Sequence, residues 1–194
     1  MTADVADQVV LFSGHMIDAP GRPIERFPAR LAPRVAQAIG DELDAIRVGR
    51  TDIGLCGAAC GSDLLFAVAA LERHMTLRIH LPFDERAFIE LSVAIGGERW
   101  VELYRHVTQS AACIVADDVL GPLPPGADPF TRNNLLMLSE ARRIGARAFT
   151  FVCVWDGQPG DGPGGTAHLA GAVRAAHGQV RIIDIRALAN EPGA

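Results

Sequence analysis

The chain has 194 residues and a mass of 20.6 kDa, a length that suits one domain. Hydrophobic residues make up 49 % and charged residues 21 %, which excludes wholesale disorder, and no apolar run reaches the roughly 18–20 residues of a membrane helix. The net charge is -5 and all 18 cations are arginine, which excludes a P-loop or Schiff-base lysine and argues against a nucleic-acid-binding stripe.

In chain order, Gln8 to Phe12 reads as a buried strand that runs into Ser13-Gly14-His15. Leu31 to Ile46 has helical spacing, with Leu31, Val35, Ile39, Leu43 and Ile46 on one face. Asp52 to Cys56 reads as a second strand, followed at once by a glycine-rich turn and a helix over Asp63 to His74. Thr76 to Leu81 is a third strand, stopped by Pro82. Helices follow over Asp84 to Val93 and Glu98 to Val107, then a fourth strand over Ala111 to Ala116. Gly121 to Pro129 holds four prolines and reads as a loop. A helix over Asn133 to Gly145 is expected to end on Gly145 as its cap, with one of Asn133 and Asn134 capping its start. The fifth strand spans Arg147 to Trp155, the last helix Ala167 to His177, and the sixth strand Val180 to Ile185.

Strands alternating with helices predict an α/β fold: a Rossmann-like three-layer α/β/α sandwich with a mostly parallel sheet of about six strands. Residues 1–194 read as one domain, with 1–7 and 187–194 as loose ends. Met1 to Asp4 lacks the basic stretch and apolar core of a secretory signal, so a cytoplasmic location with reduced thiols is expected. Cys56 and Cys60 lie four apart with no second close cysteine or histidine pair, which is not a tetrahedral zinc set. His80, inside a strand, reads as a satisfied core residue, whereas His74, His106 and His177 read as surface residues.

In an open parallel sheet, ligands bind outside the carboxyl ends of the strands. That rule makes four strand ends the candidates: Ser13-Gly14-His15, Cys56 to Asp63, Pro82 to Glu85 and Asp156 to Thr166, with Arg132-Asn133-Asn134 at a helix start considered beside them. Ser13, Gly14 and His15 end the first strand, with His15 expected to stack on or hydrogen-bond a ligand. Gly57, Ala58, Gly61, Ser62 and Asp63 join the second strand to its helix, where glycines let backbone amides approach an anion. Asp63 there is either a helix cap or a ligand group. Asn133 and Asn134 offer amide groups suited to a base or ribose edge. Asp161, Gly164, Gly165 and Thr166 follow the fifth strand, where the last three form either an anion-binding nest or a plain helix start. Asp156 and Asp161 read as turn acids rather than cation ligands, so no metal and no cofactor is expected. Trp100 and Trp155 read as packing residues.

The stretch Cys56-Gly57-Ala58-Ala59-Cys60-Gly61-Ser62-Asp63, with Ala67, Ala70 and Leu71 in the next helix, resembles the SGxAxGxDxxAHxxAL motif of the DNA-processing protein A Rossmann domain. It equally resembles the GGAxGADxxA stretch of related nucleotide-sensor proteins. Both belong to the SLOG superfamily, with the lonely-guy phosphoribohydrolases and, further off, the nucleoside 2-deoxyribosyltransferases. The likeness covers about residues 8 to 186, and only the central motif is specific. It implies a Rossmann-like sheet that binds nucleotides or nucleotide-derived ligands, with Gly57, Gly61 and Asp63 matching the phosphate and ribose loop. Gly164-Gly165-Thr166 resembles the PGGxGTxxE loop of the phosphoribohydrolases but lacks its second glycine and the following catalytic glutamate.

Three functions are left open by these residues. One is a sensing domain for a nucleotide or nucleotide-derived signal, read by a signalling-protein partner. Another is an enzyme that cleaves or transfers at an N-glycosidic bond, with Asp63, Asp84 and Glu85 as the available carboxylates. The last is an interaction module that forms a homodimer through an apolar helix face. Neither membrane nor nucleic acid is expected as a partner.

Overall fold

The computed structural model describes residues 6–144, 146–158 and 164–190. Six strands form its sheet: β1 (Gln8–Gly14), β2 (Ile53–Cys56), β3 (Thr76–Leu81), β4 (Ala112–Val115), β5 (Ala148–Trp155) and β6 (Gln179–Asp184). Their order is β4-β3-β2-β1-β5-β6 and every pairing is parallel. The central strands carry side chains into both layers, which is why β1, β2 and β5 are near-continuous apolar runs.

Among the described residues, seven α-helices lie between strands, α1 (Ala32–Ala45), α2 (Ser62–Glu72), α3 (Glu85–Phe88), α4 (Glu98–Thr108), α5 (Ala116–Leu120), α6 (Pro129–Arg143) and α7 (Thr166–Ala175), and α8 (Ile185–Asn190) follows β6. Helices α1, α2 and α4 pack on one face of the sheet, over Val10, Phe12, Leu77, Ile79 and Val152. Helices α6 and α7 pack on the other, over Val9, Leu11, Leu55, Phe151 and Cys153. The chain is thus a Rossmann-like three-layer α/β/α sandwich, as its alternating pattern predicts. On the first face, the rings of Phe12 and Phe66 stack 4.5 Å apart and 5° from parallel.

Several elements differ from the sequence expectation. The helix expected over Asp84 to Val93 is broken: α3 gives way to a π-helical turn at Ile89–Val93 and a 3-10 turn at Ala94–Gly96. The Ser92 carbonyl, inside that turn, accepts the Cys60 N–H at 2.8 Å, a tertiary bond that local periodicity does not record. Helix α5 lies where the fourth strand was expected to run out into a loop. Helix α6 starts at Pro129 rather than Asn133, because Asp128 caps it by accepting the Thr131 N–H at 2.6 Å and proline suits the first turn. Neither asparagine is therefore a cap. Of the ends expected to be loose, residues 187–190 are helical, and an Arg34 guanidinium nitrogen donates to the Leu188 carbonyl at 2.8 Å, whereas residues 1–5 and 191–194 lie outside the described residues. The cap expected at Gly145 lies outside the described residues.

Candidate functional site

The strand order reverses at β1: β2 leads away on one side and β5 on the other. Connections leave in opposite directions there, so a crevice opens at the carboxyl ends. A cleft of about 380 Å³ lies at that point. The end of β1 and the residues that follow it, from Phe12 to Ile17, line it together with the starts of α2, α6 and α7.

Most of the expected ligand residues line it. Ser13, Gly14 and His15 do so from β1, Gly57 and Asp63 from the β2–α2 turn, Asn133 and Asn134 from α6, and Gly164, Gly165 and Thr166 from the start of α7. Ala58, Gly61 and Ser62 lie behind the lining. Asp161 lies outside the described residues. Of the carboxylates considered for catalysis, only Asp63 lines the cleft. Asp84 caps α3 by accepting the Ala87 N–H at 3.0 Å, and Glu85 accepts the Tyr104 hydroxyl at 3.1 Å.

The β2–α2 turn is built for close packing. Gly61 has a φ of +105°, and a Cβ there would sit 2.6 Å from the Ile17 nitrogen. Without that side chain, the two backbones bond directly. Ile17 N–H donates to the Cys60 carbonyl at 3.1 Å, and Ser62 donates to the His15 carbonyl through both its N–H, at 3.1 Å, and its hydroxyl, at 2.8 Å. The first amide of α2, that of Ser62, is thereby taken up by the protein itself.

Asp63 occupies the space between these segments. It stands in the first turn of α2, buried, and one carboxylate oxygen accepts the Gly14 N–H at 3.2 Å. Burial pushes its carboxyl up to about 7, against the pull of the Ala59, Gly14 and Gly57 N–H groups. The amides expected to cradle a ligand anion thus surround a carboxylate of the chain.

Around β5, the bonding is ionic. Asp156, just past the strand, receives a two-pronged hydrogen bond from Arg26, with both N–O distances at 2.9 Å. Burial acts to raise the Asp156 carboxyl, but Arg26, the Gln158 N–H and His15 outweigh it and hold the group at about 2. His15 accepts the Asp156 N–H through Nε2 at 3.2 Å. Burial and then the nearby Arg26 charge lower the His15 pKa, while Asp156 opposes both. Asp18 accepts the N–H groups of Arg26 and Phe27 at 2.9 and 3.0 Å, which closes the 18–27 segment into a loop whose Asp18, Arg22 and Arg26 line the cleft.

Opposite this pair, the Ser13 and Thr166 hydroxyls lie 3.2 Å apart. Thr166 begins α7, and Gly165, not Thr166, holds the capping position. Gly164 has a φ of +76°, and a Cβ there would lie 2.5 Å from the Thr131 nitrogen of α6. Asn134 donates its amide to the Gly164 carbonyl, so α6 and the start of α7 are tied together. Asn133 donates to the His80 carbonyl at 2.8 Å. His80 is fully buried on β3; its Nε2 lies 2.9 Å from a Glu140 oxygen, in a contact poorly aligned for a hydrogen bond, and its Nδ1 has no hydrogen-bond partner among the described residues. The expected satisfied histidine is thus only partly satisfied. His80 and then Arg78 hold the Glu140 carboxyl down at about 2.

Sequence reasoning missed the apolar wall and both cleft arginines. Phe88, Ile95, Phe130 and Met137 line the cleft, as does Trp155, read from sequence as packing alone. Arg22 and Arg26 line it too; their spacing with Arg30 and Arg34 was the available signal, but the segment is not a helix at Arg22 and Arg26. Among the described residues, no group of three metal-ligating side chains comes together, and no helix is long and apolar enough to cross a membrane.

No family model matches the chain. A 112-residue region is 32 % identical to 2-succinyl-5-enolpyruvyl-6-hydroxy-3-cyclohexene-1-carboxylate synthase of Rhodococcus erythropolis, covering 57 % of this chain and 20 % of that protein. The synthase of the same name from Clavibacter michiganensis is 33 % identical over 79 residues, covering 41 % of this chain and 13 % of that protein. The chain therefore spans no more than about a fifth of the length of these curated relatives. Among solved structures, DNA processing protein A from Streptococcus pneumoniae is similar at a TM-score of 0.37 and 11 % identity, covering 97 % of this chain and 63 % of that one. The parallel sheet order and the two helical layers, rather than these likenesses, make the chain a Rossmann-like α/β protein.

Proposed function

We propose that the cleft binds a nucleotide or nucleotide-derived small molecule, and that the chain is a ligand-sensing domain of SLOG type whose bound state is read by a signalling partner. One observation carries the proposal. A cleft of about 380 Å³ sits at the strand-order reversal of an all-parallel sheet, with an apolar wall and convergent polar groups. The apolar wall of Phe88, Phe130, Met137 and Trp155 suits a base, and the polar groups suit a sugar and an anion.

The anionic end belongs at the start of α7, not at the β2–α2 turn. Asp63 already fills the amide cradle at that turn, and a second negative charge beside it is unfavourable. At the start of α7, Gly164, Gly165, Thr166 and Ala167 line the cleft with the Ser13 and Thr166 hydroxyls, and Arg22 lines the same cleft as a source of positive charge.

A second reading, cleavage or transfer at an N-glycosidic bond, is favoured by the position of Asp63. It is a cleft-lining carboxyl held at about 7, where it can both give and take a proton near neutrality.

One experiment addresses both. The protein is mixed with nucleotides, dinucleotides and nucleosides, and the melting temperature and the products are read on the same samples. A raised melting temperature that Thr166→Val and Ser13→Ala weaken is expected. Release of free base that Asp63→Asn abolishes would make the second reading the function. No shift with any compound at millimolar concentration would remove the ligand-binding reading.

A further inference from the structure

Helix α6 turns one face to the sheet and the opposite face outward. Inward, Met137, Leu138 and Ala141 are buried in the second core. Outward, Leu135 is 47 % exposed, and Ser139, Arg142 and Arg143 are exposed on the same side. Spacings of four, three and one set these residues along one stripe of the helix. Leu138 and the four outward residues line a shallow concavity. A large apolar side chain on an outward stripe, one turn from a serine, has the shape of a knob beside a hole.

The charge pattern along this face is self-complementary. Arg142 and Arg143 lie in the last turn of α6. At the other end, α5 packs against α6 through Arg132, which donates to Asp117 at 2.9 Å. Next to Asp117, Asp118 is exposed, and beside it Val119 and Leu120 are 55 % and 49 % exposed. Asp118, Arg142 and Arg143 make no ion pair among the described residues. Arg132 continues the stripe one turn before Leu135, so its bond to Asp117 sets α5 at the N-terminal end of this face. An end that carries the acids of α5 and an end that carries Arg142 and Arg143 fit a copy of the same face turned by 180°. Two helices so arranged are antiparallel, which also opposes their dipoles.

We propose that the outward face of α6 is a homodimer interface, in which α6 packs antiparallel on α6 about a two-fold axis. Leu135 sits over Ser139 of the partner subunit, and Arg142 and Arg143 reach the partner's Asp118. Val119 and Leu120 close the ends of the contact. The proposal is independent of what the cleft binds.

Sedimentation equilibrium of the full chain at low salt tests it. The wild-type protein is expected to weigh twice the 20.6 kDa chain mass in the micromolar range. Leu135→Asp is expected to weaken association at least about tenfold. Asp118→Arg alone and Arg142→Glu with Arg143→Glu alone are each expected to weaken it roughly fivefold, and salt to shrink that effect. An equimolar mixture of these two charge variants is expected to recover wild-type affinity, because a two-fold antiparallel contact places the swapped charges opposite one another in one half and the native charges in the other. All substituted residues are exposed, and unchanged far-UV circular dichroism confirms the fold. A chain mass at every concentration overturns the proposal and leaves the face to a different protein. A Leu135→Asp variant as dimeric as the wild type overturns it too, and a mixture that fails to recover overturns the two-fold geometry.

Discussion

The Asp63 carboxylate accepts the Gly14 N–H at 3.2 Å and so ties the end of β1 to the first turn of α2. A buried acid at a helix N-terminus gains from the dipole but loses its water, and here the loss dominates. The result is a carboxyl at the cleft that changes charge near neutral pH.

That gives the first prediction, with a definite sign. The folded pKa of Asp63, about 7, lies above the ordinary 3.8, so the folded state binds the proton more tightly than the unfolded chain. Its contribution to stability is therefore greatest below pH 4 and falls as pH rises to about 7, by on the order of 4 kcal/mol. Urea unfolding of wild type and Asp63→Asn at a series of pH values checks this. The stability of the wild type relative to the variant should decline over that window, and a flat difference would remove the buried-carboxyl account.

Asp156 should behave in the opposite sense. Its folded pKa, about 2, lies below 3.8, so its stabilisation is complete above pH 4 and is lost as pH falls from 4 toward 2. Arg26→Ala leaves this carboxylate buried without its two-pronged donor and is expected to cost about 3 kcal/mol at neutral pH. Chemical denaturation of the variant is the check, and the same variant should also lose the steep acid limb of the wild type.

Gly61→Ala should be among the most damaging small changes in the chain. It meets an unfavourable φ of +105° and a backbone nitrogen 2.6 Å from the new carbon. Neither can relax cheaply, so a loss of at least about 3 kcal/mol is expected, read as a lower urea midpoint. Gly21, at φ +79° with nothing within 4 Å, is the control, and its alanine variant should lose about 1 kcal/mol.

Phe66→Ala removes the ring stacked on Phe12 and empties the space against which Gly54 lies, where a Cβ would sit 3.2 Å from the Phe66 ring. A cost of about 3–5 kcal/mol is expected, with a lower melting temperature in calorimetry. Gly54→Ala in that background should recover part of the loss, whereas in the wild type it should destabilise.

Much of the layer order can be read in the sequence because burial imposes it. The apolar run of β1 and the spacing of Val35, Ile39 and Leu43 each answer to a single flat neighbour, the sheet or the helix layer. Local signals also fixed Thr76–Leu81 at both ends, where Pro82 stops the strand. The start of α6 was readable as well, since Asp128-Pro129 is a cap followed by a first-turn proline, but the proline-rich run hid it. The interior of the cleft was not readable to the same degree. Arg26 and Asp156 are 130 residues apart, and no periodicity links them. The π-helical turn at Ile89–Val93 depends on Cys60 bonding to Ser92 across the fold. Asp63 illustrates the limit most clearly: the sequence placed it at the right turn, but only the surrounding amides show that it fills the cradle itself.

The pairing of β1 with β5 also has a consequence for biosynthesis. β1 leaves the ribosome before the other five strands of the sheet, and β2, β3 and β4 follow in the order in which they extend the sheet from one of its edges. Its other edge waits for Ala148–Trp155, at a delay on the order of ten seconds at ordinary translation rates. Until then, Val9, Leu11 and Ser13 face no α7, and the Gly14 end of the strand has no β5 neighbour. The nascent chain therefore carries an open strand edge until β5 emerges, and the cleft is completed only when the start of α7 follows it.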